Sequence, residues 1–184
     1  YRIAFAEGVT SWQVVEGLRA VEVLDGEIDE LPAEGTLAPR SYELRPGDSR
    51  ASVIQRMSEA QDELLAAAWE SRADDLPLDS PQEALILASI IEKETGVPEE
   101  RREVASVFVN RLNRGMRLQT DPTVIYGITE GRGVLGRGIR QSELNRETPW
   151  NTYVIDGDGD IAFAYEGVEP DGHADEILTD LDAA

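Results

Sequence analysis

A chain of 184 residues with 41% hydrophobic content can bury a core, and its length allows one domain, or one domain with a small appendage. A net charge of −20 excludes nucleic acid as a partner, because phosphate binding needs clustered Lys and Arg. With no cysteine and one histidine, His173, the sequence offers neither a disulfide framework nor an ordinary zinc site, and it contains no apolar run of about 18 residues that could span a membrane.

Tyr1 to Ala6 alternates as a short strand does. The start in mid-strand, with no signal peptide, predicts a fragment of a longer chain. Thr10 or Ser11 can cap a helix from Trp12 to about Ala20, with Val14, Val15 and Leu18 inward. Val21 to Ile28 reads as a strand or extended segment, and Leu31 to Gly35 as loop. A short strand is expected at Ser41 to Leu44. Asp48 or Ser49 then caps a long helix to about Ser71, with Val53, Met57, Ala60, Leu64 and Ala68 on its buried face.

The sequence concentrates its chemistry between Glu83 and Gly127. Ala84 to Ile91 is apolar except for Ser89, and an all-apolar helix is a buried one. Gly96 suits the left-handed residue that ends a helix. Glu94 then falls in the last turn, where the helix dipole and burial both oppose its charge. A carboxyl kept protonated near neutral pH is what a general acid requires. Glu92, two residues earlier, points to a different face, so only one of the pair can enter a given cleft. Glu92 is expected to pair with an arginine or face solvent.

A second helix starts with Pro98 in its first turn and carries Val104, Ala105, Val107, Phe108 and Leu112 as its apolar stripe, with Gly115 ending it. Thr120 to Ile128 has no clear period and is expected to be a loop or short turn, with Asp121 a candidate to cap it. Glu130 to Gly138 is Gly-rich but lacks the Lys-Ser/Thr ending of a phosphate loop, and reads as a mobile surface loop. Gln141 to Arg146 can form one helical turn. Asp156 to Asp160 starts like a calcium loop, but Ile161 and Gly167 stand where Gly and Glu are required, so a plain acidic turn is expected. The acid is concentrated in this tail, whereas Arg101 to Arg146 carries many arginines; the general effect of such charge is solubility.

The ordered set Ala88-Ser89-Ile90-Ile91-Glu92-Lys93-Glu94-Thr95, Val104 to Leu112, Gly115 to Gly127 and Asn151-Thr152-Tyr153 resembles the endolytic murein transglycosylases, the YceG-like family. The resemblance is good from Trp69 to Gly157. It implies an α+β fold: a mainly helical catalytic core, residues 48–157, after a small mixed α/β element, residues 1–47. It also implies a membrane anchor and a LysM-like module upstream. Residues 158–184 match weakly, and the family's Gly-Leu-Pro-Pro segment, one wall of the groove, has no counterpart there.

Lytic cleavage of peptidoglycan between MurNAc and GlcNAc is what the resemblance implies. Glu94 would be acid and then base, with no cofactor and no metal. Gln119, Thr120, Asp121, Thr123 and Tyr126 would line the saccharide groove, with Asn151, Thr152 and Tyr153 closing it and Asn110 and Arg111 behind. The implied partners are glycan strands and cell-wall synthases, at the periplasmic, extracytoplasmic face of the inner membrane. Two other readings stay open: a glycoside hydrolase in which Asp121 activates water, and a non-catalytic peptidoglycan-binding or scaffold module.

Overall fold

A computed structural model describes residues 1–154 of the chain; the expected acidic turn at Asp156, His173 and a helix expected over Ala174 to Leu181 lie outside them. Strand β1 (Arg2–Ala4) pairs antiparallel with β2 (Ser41–Glu43), Ile3 opposite Tyr42. Between them runs α1 (Ser11–Arg19), started by Thr10 and Gln13 in a reciprocal capping box. Val14, Val15 and Leu18 turn inward as their spacing requires and meet Leu24, Leu37 and Leu44.

Val21 to Ile28 is not a strand. Three of its carbonyls are taken by one side chain: the Arg50 guanidinium donates to Val21, Leu24 and Gly26, and to Leu18 and Arg19 at the end of α1; the Val23, Asp25 and Ile28 carbonyls accept from the Gly47 and Arg50 N–H groups and the Arg19 side chain. Carbonyls satisfied this way need no sheet partner.

Helix α2 (Arg50–Ser71) begins on the Ser49 hydroxyl and serves two cores. Val53 and Met57 pack with the N-terminal element, and Ala68 with the helices that follow. Ala60 and Leu64 are only half-buried; Gln61 takes the inward position between the cores. Helix α3 (Pro81–Glu94), capped by Ser80, is buried along all of Ala84 to Ile91. Each Leu or Ile so placed contributes about 1.5–3 kcal/mol of apolar burial. The helix stops before Gly96 as expected, but by another route. Thr95 adopts an extended conformation while its N–H closes on the Ile91 carbonyl, and Gly96 is not left-handed.

A 3-10 turn (Pro98–Glu100) leads into α4 (Arg101–Leu112). Ala105 and Phe108 are its buried apolar residues, with Val104, Val109 and Leu112 beside them; Val107, expected inward, is exposed. The segment expected to be a loop at Thr120 to Ile128 is instead helix α5 (Asp121–Thr129). Pro122 in its first turn starts the helix, and the β-branched Thr123, Val124 and Ile125 hide it from a periodicity reading. Glu130 ends it in the left-handed region. The Gly-rich loop follows and is tied to the N-terminal element by the Thr10 hydroxyl, which donates to the Gly131 carbonyl. Helix α6 (Gln141–Leu144) is the expected single turn.

Candidate active site

The end of α3 sends its two glutamates to different places. Glu92 lies in a nearly closed position and accepts from the Arg101 guanidinium at 3.0 Å; the side chains are 14% and 8% exposed. Glu94 is solvent-exposed, so the burial expected for it is absent. The cause is local: Glu94 is the last helical residue, and the chain leaves α3 beneath it through buried Thr95. Among the described residues its carboxylate accepts one hydrogen bond, from the Thr120 hydroxyl to Oε2 at 2.7 Å. That bond brings the first residues of α5 to the end of α3.

Thr120 and Thr123 are buried, and their hydroxyls point into the protein rather than to solvent. Gln119 is exposed and accepts from Arg111, whose guanidinium also holds the Arg117 and Leu118 carbonyls. Asp121 is exposed and accepts from the Tyr153 hydroxyl at 2.5 Å. This bond, with partial burial and the neighbouring Asp121 and Glu94 charges, pushes the Tyr153 phenol up to about 12. Tyr153 therefore stays a neutral donor beside two carboxylates. Asn151 is buried; its amide donates to the Glu143, Leu144 and Arg146 carbonyls and its oxygen accepts from the Tyr153 N–H. It shapes the segment that carries Tyr153 and has no polar atom left for a sugar. Asn110 is exposed on α4.

Tyr126 faces a cavity of about 430 Å³ between the N-terminal element, α3, α5 and the Gly-rich loop. Val9, Ile90, Pro122, Ile125 and Leu135 give it apolar walls, and Lys93 and Thr10 give polar ones. The volume suits a small ligand or part of a chain. Tyr126 meets Trp150 edge to face at 5.7 Å between ring centroids. Behind Tyr126 stands a carboxyl that sequence reasoning passed over. Glu34, in the loop Leu31 to Gly35, accepts from the Ser11 N–H at 2.7 Å and from the Tyr126 hydroxyl at 3.4 Å. Burial pushes it up to about 7, against the opposing effect of these bonds and of Lys93. Nothing in a Pro-Ala-Glu-Gly loop announces such contacts, which span 23 and 92 residues of sequence.

Arg137, which lines the cavity, forms a two-pronged ion pair with Glu143 at 2.6 and 2.9 Å, which pushes Glu143 down to about 2. Among the described residues no three His, Asp or Glu side chains converge on a possible cation site.

The match of a family model over residues 1–160 decides the family. The chain belongs to the YceG-like family. This YceG-like chain is 33% identical over 126 residues to an endolytic murein transglycosylase of Streptococcus pneumoniae serotype 2, covering 65% of itself and 22% of that protein. It is 32% identical over 126 residues to the Bacillus subtilis protein of the same name, covering 68% of itself and 34% of that protein. It thus spans between about a fifth and a third of the length of these curated relatives. Its fold matches the crystal structure of a yceG-like protein from Listeria monocytogenes with a TM-score of 0.64 and 24% identity, over 96% of this chain and 66% of that one. Among the described residues the fold is the expected α+β arrangement, mainly helical with one two-stranded sheet.

Proposed function

We propose that this chain carries the catalytic site of an endolytic transglycosylase that cuts peptidoglycan glycan strands between MurNAc and GlcNAc. The observation that carries the reading is Glu94: a glutamate open to solvent at a helix end, held at one oxygen, beside an exposed Asp121–Tyr153 pair. The cavity of about 430 Å³ is lined by the sequence neighbours Lys93 and Pro122 and not by Glu94 itself. Membership of the family, and relatives named endolytic murein transglycosylases, support it.

In this reading Glu94 gives its proton to the glycosidic oxygen as the bond from MurNAc C1 breaks. The GlcNAc side leaves with a free hydroxyl. The resulting carboxylate takes the proton of the MurNAc C6 hydroxyl as that oxygen closes on C1. The product is a 1,6-anhydro ring; no water is consumed and Glu94 ends protonated as it began. One carboxyl serves both halves because the nucleophile belongs to the substrate and is already close. Glu92 cannot share the work, since its charge is committed to Arg101. The proposed setting is the extracytoplasmic face of the inner membrane, with cell-wall synthases as candidate partners.

Mass spectrometry of purified glycan strands incubated with the protein tests the reaction. Anhydro-muramyl ends are expected. Reducing ends would mean hydrolysis, and binding without new ends would mean a scaffold.

A further inference from the structure

We propose that Thr120 and Thr152 are positioning residues that fix which oxygen of Glu94 transfers the proton, an inference that rests on the lytic reading of Glu94. Thr120 is 1% exposed and Thr152 5%, so neither hydroxyl is presented to a sugar. Thr120 donates to Glu94 Oε2 at 2.7 Å. Among the described residues no hydrogen bond occupies Oε1. A carboxyl protonated on Oε1 still accepts at Oε2, so the Thr120 bond persists through both halves of the reaction. It therefore orients the group without competing for its proton, and Oε1 is left as the oxygen that gives and retakes it.

What holds Thr120 is Thr152. The Thr120 N–H donates to Thr152 Oγ1 at 3.0 Å, and the Gln119 N–H to the Thr152 carbonyl at 3.2 Å. Thr123 Oγ1 donates to the Thr120 carbonyl at 2.8 Å and lies 3.0 Å from Thr152 Oγ1. With the Thr152 N–H donating to Thr123 Oγ1 at 3.4 Å and the Thr152 hydroxyl also within 3.5 Å of the Thr120 carbonyl, these bonds close a ring of buried groups. The ring also pins Gln119 at φ 55°, a left-handed conformation that a non-glycine residue keeps only when its surroundings over-determine it. Thr152 forms no hydrogen bond with Glu94, so its hydrogen bonding reaches the acid through Thr120.

The test uses the full chain with Thr120→Val, Thr152→Val, both together, and the two serine replacements. Kinetics of anhydro-end release and the Glu94 carboxyl carbon resonance by 13C NMR, assigned by its loss in Glu94→Gln, are read at one pH. A misplacement of the acid on the order of 1 Å costs about 100-fold in rate. Thr120→Val is therefore expected to lower kcat by about 10- to 100-fold with KM within about twofold, and to move the resonance. Thr152→Val should do the same more weakly, the double variant no worse than Thr120→Val alone, and each serine should restore most of the loss. If Thr152→Val does not fold, Thr120→Val and its serine rescue still decide the matter.

A parental kcat in Thr120→Val, or a raised KM with kcat unchanged, would overturn the proposal, the latter by making these hydroxyls sugar contacts. An unmoved resonance in Thr120→Val overturns it whatever the kinetics. If the resonance moves but the parent never releases anhydro ends, the clamp stands and the lytic reading falls.

Discussion

The face around Glu94 and the junction around Glu34 are both built on a glutamate that accepts hydrogen bonds, and they differ in access. Glu94 is open and held by one hydroxyl. Glu34 is largely enclosed between the N-terminal element and α5, and burial raises its pKa to about 7. A search for the most perturbed carboxyl would stop at Glu34. Perturbation reports burial, and burial marks a seam between packed elements as readily as a reaction centre. A carboxyl that must meet a glycan and hand it a proton needs access first.

The largest effect expected from breaking this contrast is at Glu94. Glu94→Gln keeps the volume but cannot give or retake a proton. General acid–base catalysis is worth about 10²–10⁴-fold, and one group serves both halves of the proposed reaction, so the rate of anhydro-end release should fall by about 10⁴-fold or more. The melting temperature should stay near the parental value, because the side chain is exposed. Glu92→Gln should do the reverse. It leaves the Arg101 charge, 8% exposed, without its counter-charge, and removing one partner of a buried pair costs about 3 kcal/mol or more. Denaturant unfolding should show that loss, while activity per folded molecule survives.

At Glu34 the effect is smaller and depends on pH. Below pH 4.5 the carboxyl is protonated in both folded and unfolded chains. Between 4.5 and about 7 the unfolded chain ionises first, so stability falls as pH rises, and above about 7 the loss is complete. The difference in pKa corresponds to at most about 3 kcal/mol. Glu34→Gln can still accept from Ser11 and donate to the Tyr126 oxygen. It should match the parent in thermal melts at pH 4 and exceed it at pH 8; parallel curves at both values would refute the assignment of the raised pKa to this site. Tyr153→Phe should have the smallest effect. It removes one exposed hydrogen bond to Asp121, worth about 1 kcal/mol or less, and should change kcat/KM by no more than several-fold.

What was legible in the sequence was local. The Thr10 and Ser49 caps, the buried run Ala84 to Ile91 and the helix stop before Gly96 all follow from neighbours within a few residues. So does the separation of Glu92, paired with Arg101, from the exposed Glu94, which needs only the geometry of one helix. What was missed depends on distant partners. Val21 to Ile28 looks strand-like until Arg50 takes its carbonyls. Helix α5 is hidden by β-branched residues whose low helix propensity is overridden by packing. The inward turn of Thr120 and Thr123, and the consumption of the Asn151 amide by three carbonyls, exist only once Asn151 to Tyr153 is folded back onto α5.

One experiment bears most directly on the contrast between access and perturbation. Glu34→Gln, Glu92→Gln and Glu94→Gln are assayed side by side for anhydro-muropeptide release from purified glycan strands and for thermal stability at pH 7. The account predicts that Glu94→Gln alone loses activity without losing stability, that Glu92→Gln loses stability and keeps activity per folded molecule, and that Glu34→Gln keeps activity and is at least as stable as the parent. A folded Glu34→Gln protein without activity, or a Glu94→Gln protein cutting at near the parental rate, would contradict it.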